Sequence, residues 1–145
     1  MKKLMTGNEA FSYGVMLSRV EVIAAYPITP QTSVVEEIAE LRAREKLTAT
    51  LVRVESEHSS MGCVAAASMT GVRTFTATSS QGLAYMHEML HWTSGTRLPV
   101  VMVNVNRAIG APWNVWNEQS DSLSQRDTGW LQIYCASAQE CLDSI

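Results

Sequence analysis

The sequence predicts an α/β domain in which a parallel β-sheet is covered by helices on both faces. Three observations predict it. Short runs rich in apolar and β-branched residues alternate along the chain with helix signals. Val20 to Tyr26 and Leu98 to Val105 are apolar nearly throughout rather than at every second position, as in strands buried on both faces. The 145 residues contain no repeat, no low-complexity stretch and no linker rich in Gly, Pro or Ser, so one domain spanning 1–145 is expected.

The elements follow in order. Thr6-x-x-Glu9 is a capping box, which predicts a helix from about Gly7 to Ser18. Val20 to Tyr26 reads as the first strand. Thr29 before Pro30 fits a helix N-cap, with Ser33-x-x-Glu36 as the other possible start. Val34, Ile38 and Leu41 then share one stripe of a helix ending near Lys46. Thr50 to Glu55 reads as a strand, and Ser56 to Thr70 as a helix of small residues closed by Gly71. Val72 to Thr78 is a third strand, Ser79 to Gly82 a polar turn, and Leu83 to Ser94 a helix ended by Gly95. Leu98 to Val105 is a fourth strand. Arg107 to about Thr128 is a long polar loop, of a length that compact domains keep for function. Trp130 to Cys135 is expected as a last strand, and Ser137-x-x-Glu140 opens a final helix.

Composition excludes several classes. With 46% hydrophobic and 17% charged residues the chain is not a disordered tail. Eleven basic residues against 14 acidic ones, net −3, give no cationic field for nucleic acid. No apolar run reaches membrane-spanning length. The basic opening Met1–Met5 passes straight into polar Thr6–Glu9, so no export leader is expected and the cytoplasm is the expected compartment. Cys63, Cys135 and Cys141 lie far from any C-x-x-C spacing, which predicts free thiols rather than disulfides or a cluster held by this chain.

In an open parallel sheet ligands bind outside the carboxyl ends of the strands. Those ends are Tyr26-Pro27-Ile28-Thr29, Glu55-Ser56-Glu57-His58, Thr78-Ser79-Ser80-Gln81-Gly82 and Asn104-Val105-Asn106-Arg107. Thr29 at a helix start and the planar fork of Arg107 suit a small carboxylate. A plain cap and a surface charge are the alternatives. Glu57 in the same crevice suits acid, base or ring-nitrogen work, or simply caps its helix. Glu55, two residues earlier, shares a strand face with it. The small residues of Cys63–Ser68 point to a tight helix–sheet contact, with a partner interface as the alternative. Trp113 and Trp116 fit a lid or a subunit contact.

His87-Glu88-Met89-Leu90-His91 matches H-E-x-x-H, which would place two imidazoles one helical turn apart in a zinc peptidase, with Glu118 as a third ligand. Against this, the helix leads directly into a core strand.

At Ala25-Tyr26-Pro27-Ile28-Thr29-Pro30-Gln31-Thr32 the chain resembles the alpha subunit of pyruvate and related 2-oxoacid:ferredoxin oxidoreductases. The resemblance continues at Val54–Ser59, Thr74–Leu83, Val105–Ala108, Gln119–Ser122 and Gln125–Trp130, in order and at every strand tip. It implies a thiamine diphosphate enzyme of anaerobic metabolism, with this chain as the pyrimidine-binding domain of the alpha subunit. Glu57 would hydrogen-bond the pyrimidine ring, so that the cofactor's own amine works as the base. Pro27, Thr78, Ser79 and Gly82 would line the cofactor, and Thr29 with Arg107 would hold the 2-oxoacid carboxylate. Pyruvate is the expected substrate, with coenzyme A taking the acyl group and ferredoxin the electrons.

The chain has no Gly-Asp-Gly motif and no cysteine array. The resemblance implies that a beta subunit with such a motif supplies the magnesium–diphosphate site, and further small subunits the iron–sulfur clusters. A fragment of a longer alpha subunit, working in an oligomer and inactive alone, is expected. A non-catalytic assembly module is the other alternative. His87 and Glu88 fall where the family carries Met-His-Glu, which leaves His91 incidental.

Overall fold

Four short parallel strands form the centre of the molecule in the computed structural model, which describes residues 3–145. Met1 and Lys2 of the basic opening lie outside the described residues. The elements are α1 (Gly7–Leu17), β1 (Val22–Ala24), α2 (Thr32–Ala43), β2 (Thr50–Val52), α3 (Glu57–Ser68) and β3 (Thr74–Thr78). They continue with α4 (Ser80–Tyr85), α5 (His87–Gly95), β4 (Val100–Asn104), α6 (Ser120–Leu123) and α7 (Ala138–Asp143). The α/β class and parallel sheet expected from the sequence are present.

Strand order is β2-β1-β3-β4. Val22 pairs with both Thr50 and Thr74, and Thr74 with Val100. The strands therefore start level, and their carboxyl ends share one edge. The chain leaves β1 toward β2 on one side and later builds β3 and β4 on the other. The crevice between the ends of β1 and β3 is thus a topological switch point, where such sheets bind ligands.

Side chains alternate between two cores, as the pleat requires. Ile23, Phe75, Ala77 and Val103 pack with Val15, Val34, Ile38 and Leu41 of α1 and α2. Ala24 and Val100 pack with Met61, Val64, Leu83 and Leu90 of α3, α4 and α5. Helix α3 lies on β1 and β3, which is the tight contact its small residues predict.

Local signals fix several ends. Thr6 accepts from the Glu9 amide while the Glu9 carboxylate accepts from the Thr6 amide at 2.7 Å, completing the capping box. Ser56 caps α3 by accepting from the Ser59 amide, and Ser137 caps α7 by accepting from the Glu140 amide. Helix α7 packs on α1, where Gly14 leaves the room. A Cβ there would lie 2.9 Å from the Leu142 carbonyl oxygen and 2.9 Å from Ile145 Cβ. Gly14→Ala is expected to destabilise the chain by about 1–3 kcal/mol through overpacking. Denaturant midpoints measure it, and an unchanged midpoint would mean that this helix pair does not form in solution.

Other boundaries correct the sequence reading. Neither Thr29 nor Ser33 caps α2; Gln31 occupies that position, without a side-chain cap bond, and its amide closes a turn onto Ile28 O. The expected turn at Ser79–Gly82 is already helical from Ser80, and the expected Leu83–Ser94 helix is two helices. They part at Met86, whose backbone (φ −90°, ψ 8°) leaves helical geometry while its side chain is fully buried. The long loop contains α6. The segment 130–135 is not a strand. Its side chains are tied elsewhere: Trp130 Nε1 donates to Leu90 O, Gln132 Nε2 to Ser122 O, and Tyr134 pairs with Ser122. A cavity of about 640 Å³ lies between it and β4, so no ladder forms. Among the described residues no helix is long and apolar enough to cross a membrane.

Candidate active site

Each strand tip delivers a different polar group to the switch point. Ser56, extended at φ −161°, turns the chain from β2 into α3, so Glu57 is the first residue of that helix. Glu57 is half-buried. Its carboxylate packs against Gly82 of α4: a Cβ on Gly82 would lie 2.8 Å from Glu57 Oε1 and 2.5 Å from Thr78 Oγ1. Only glycine allows that approach. Gly82→Ala is expected to push Glu57 aside and to lower cofactor affinity at least about tenfold, since small misplacements at a site are costly. Calorimetric titration of the assembled enzyme with thiamine diphosphate reads it, and an unchanged constant would remove this contact from the site.

Glu55 is not part of this pair. It is exposed and accepts from Ser59 Oγ at 2.6 Å, a bond that holds its carboxyl below the usual range. Thr78 and Ser79 are fully buried, yet among the described residues Thr78 Oγ1 and Ser79 Oγ have no hydrogen-bond partner. Buried hydroxyls without partners are uncommon. Ser68, Thr74 and Thr76 also bury unpartnered hydroxyls, so the distinguishing feature here is that Thr78 Oγ1 and the Glu57 carboxylate both meet at Gly82.

Arg107, after β4, reaches back across the sheet. Its guanidinium donates to the Thr29 carbonyl oxygen at 2.6 Å and to Gln81 Oε1. Thr29 and Arg107 are therefore brought together, and Gln81 sits next to the glycine that faces Glu57. The Thr29 contribution differs from the expectation: it follows no helix start, and its carbonyl rather than a capped N-terminus holds the cation. Pro27 is exposed on the same β1 tip.

Two groups escaped the sequence reading. Gln81 Nε2 donates to Ile109 O at 2.6 Å while its Oε1 meets Arg107, so it bridges the guanidinium to the long loop. Asp121 of α6 is fully buried and accepts five N–H bonds from three chain segments. A Ser-Asp-Ser run in a polar loop carries no burial signal. The available pointers were the loop's excess length and the resemblance over Gln119–Ser122.

The remaining candidates fall outside the site. His87 and His91 stack edge to face at 4.9 Å, and His87 Nδ1 meets Gln125 Oε1 at 2.5 Å. Glu118 folds onto Ser120 instead of toward them. Among the described residues no group of three ligating side chains forms, and the zinc-peptidase expectation is dropped. Trp113 and Trp116 stay exposed, with Trp113 Nε1 bonded to Ile109 O. The three cysteines are free; only Cys141 is buried, and burial with the neighbouring Cys135 pushes its thiol up to about 11.

A parallel sheet whose strand tips carry a carboxylate, a guanidinium and hydroxyls is an α/β domain of the kind that binds ligands at the carboxyl edge of its sheet. Residues 13–145 match the family described as pyruvate flavodoxin/ferredoxin oxidoreductase, thiamine diphosphate-binding, and the chain belongs to that family. It is 58% identical over 145 residues to the ketoisovalerate oxidoreductase subunit VorA of Pyrococcus horikoshii, covering all of this chain and 37% of that protein. It is 56% identical over 143 residues to the pyruvate synthase subunit PorA of Methanocaldococcus jannaschii, covering 99% and 37%. The chain thus spans 37% of the length of these curated relatives. Among solved structures, a 2-oxoglutarate:ferredoxin oxidoreductase from Magnetococcus marinus, bound to 2-oxoglutarate, coenzyme A and succinyl-CoA, superposes with a TM-score of 0.70 at 36% identity. That match covers 77% of this chain and 19% of the other.

Proposed function

We propose that this chain is the pyrimidine-binding domain of a 2-oxoacid:ferredoxin oxidoreductase, which oxidatively decarboxylates a 2-oxoacid to acyl-CoA and reduces ferredoxin. The observation that carries this is the contact of the Glu57 carboxylate and Thr78 Oγ1 with Gly82. When bound, thiamine diphosphate supplies the nucleophilic carbon and the electron sink for loss of carbon dioxide. Glu57 would hydrogen-bond the aminopyrimidine ring and orient it, while Pro27, Thr78, Ser79 and Gly82 would shape the wall beside it. Arg107, steadied by the Thr29 carbonyl and Gln81, binds the substrate carboxylate through its planar fork.

As the family resemblance implies, a companion beta subunit would hold magnesium and the diphosphate. Further subunits carry the iron–sulfur clusters that pass electrons to ferredoxin. Free thiols suit the reducing cytoplasm. Pyruvate is the proposed substrate, and the similarity to a ketoisovalerate oxidoreductase subunit supports a branched-chain 2-oxoacid as the second candidate. The test is turnover by the full-length subunit assembled with its companions. Coenzyme A-dependent electron transfer to ferredoxin is expected with pyruvate or a branched-chain 2-oxoacid, and activity with neither would refute the reading.

A further inference from the structure

We infer that Asp121 is a positioning residue, which sets Arg107 for the substrate carboxylate from beneath the site. The inference rests on the reading of Arg107 given above and extends it to a group outside the strand tips. Asp121 Oδ2 accepts from the amides of Ser80 and Arg107 and from Asn104 Nδ2, each at 3.0 Å. Its Oδ1 accepts from Asn106 Nδ2 and from the Ser122 amide, each at 2.7 Å. One fully buried carboxylate thus ties the tip of β3 to the tip of β4.

A second, independent feature lies at the same junction. Ser80 adopts φ +48°, a left-handed backbone that non-glycine residues adopt at a cost. Such geometry persists only where the surroundings enforce it. Here the Ser80 amide is held by Asp121, and Ser80 Oγ donates to Ala108 O at 2.6 Å. Gln81 follows directly, and its side chain meets the guanidinium. Asp121 therefore controls Arg107 twice: through the Arg107 amide itself, and through the turn that presents Gln81. A buried anion with five N–H donors is a stiff anchor, because ionic hydrogen bonds are strong where water is excluded.

The test is a double-mutant cycle in the full-length subunit assembled with its companions. Asp121→Ala is expected to raise KM for the 2-oxoacid about tenfold or more, with kcat within about threefold, as for a group acting on substrate binding. In the Arg107→Ala background the same substitution should change KM less than about twofold, since the residue it acts through is gone. Asp121→Asn keeps one oxygen for the Ser80 and Arg107 amides, so it should recover part of the loss. It carries the same cycle if the alanine variant fails to assemble.

An equal effect of Asp121→Ala in both backgrounds, an unchanged KM, or failure of both variants to assemble would each overturn the inference; the last would assign Asp121 to the scaffold. If Arg107→Ala alone leaves KM unchanged, the reading of the site has failed instead.

Discussion

Glu57→Ala in the assembled enzyme is expected to abolish 2-oxoacid oxidation, with a loss of about 10²–10⁴-fold, the range for a single acid–base group. The carboxylate lies against Gly82 and Thr78. Glu55 is turned away and bonded to Ser59. The domain should stay folded, because Ser56 still caps α3 and the lost charge at the helix start is worth only roughly 0.3–1 kcal/mol. Glu57→Gln sharpens the result: it keeps the volume and the contact with Gly82 but cannot ionise. Comparable losses in both variants, with unchanged thermal midpoints, would assign the effect to the proton. Near-normal turnover in either would remove Glu57 from the chemistry.

Arg107→Ala should raise KM for the 2-oxoacid by about 30-fold or more. Truncating one partner of a buried, hydrogen-bonded charge pair costs about 2–5 kcal/mol. The half-buried guanidinium is already held by the Thr29 carbonyl and Gln81, so little entropy remains to be lost when substrate binds. Arg107→Lys should recover little, since an ammonium cannot span Thr29, Gln81 and a carboxylate in one plane. Steady-state kinetics decide it: an unchanged KM in the alanine variant takes Arg107 out of the substrate site.

The cap signals were legible because they are local. Thr6 with Glu9 and Ser137 with Glu140 each satisfy orphan amides within one helical turn, and each stands where the sequence puts it. The apolar runs around Ile23 and Val103 marked core strands for the same reason, whereas β3 is buried throughout although Thr alternates with Phe75 and Ala77. The tips were legible once the sheet was taken as parallel. Glu57, Thr29 and Arg107 then had to share one edge.

The failures are places where a local signal met a distant competitor. Leu131 and Ile133 have strand-like spacing, but a strand needs a neighbour, and side-chain bonds to Leu90 O and Ser122 draw this segment away from β4. Thr29-Pro30 looks like a helix start, yet Gln31 turns back onto Ile28 and delays the helix.

The sequence alone determined the class of fold, the order of its elements and which residue types crowd the strand ends, because periodicity and capping act over a few residues. Only the tertiary structure decided that Gly82 lies against Glu57, that Arg107 rests on the Thr29 carbonyl, and that Asp121 is buried beneath them. Those contacts join residues 14 to 78 positions apart or lie across separate helices, and their energies depend on distance and on exclusion of water. Neither quantity exists until the chain has folded.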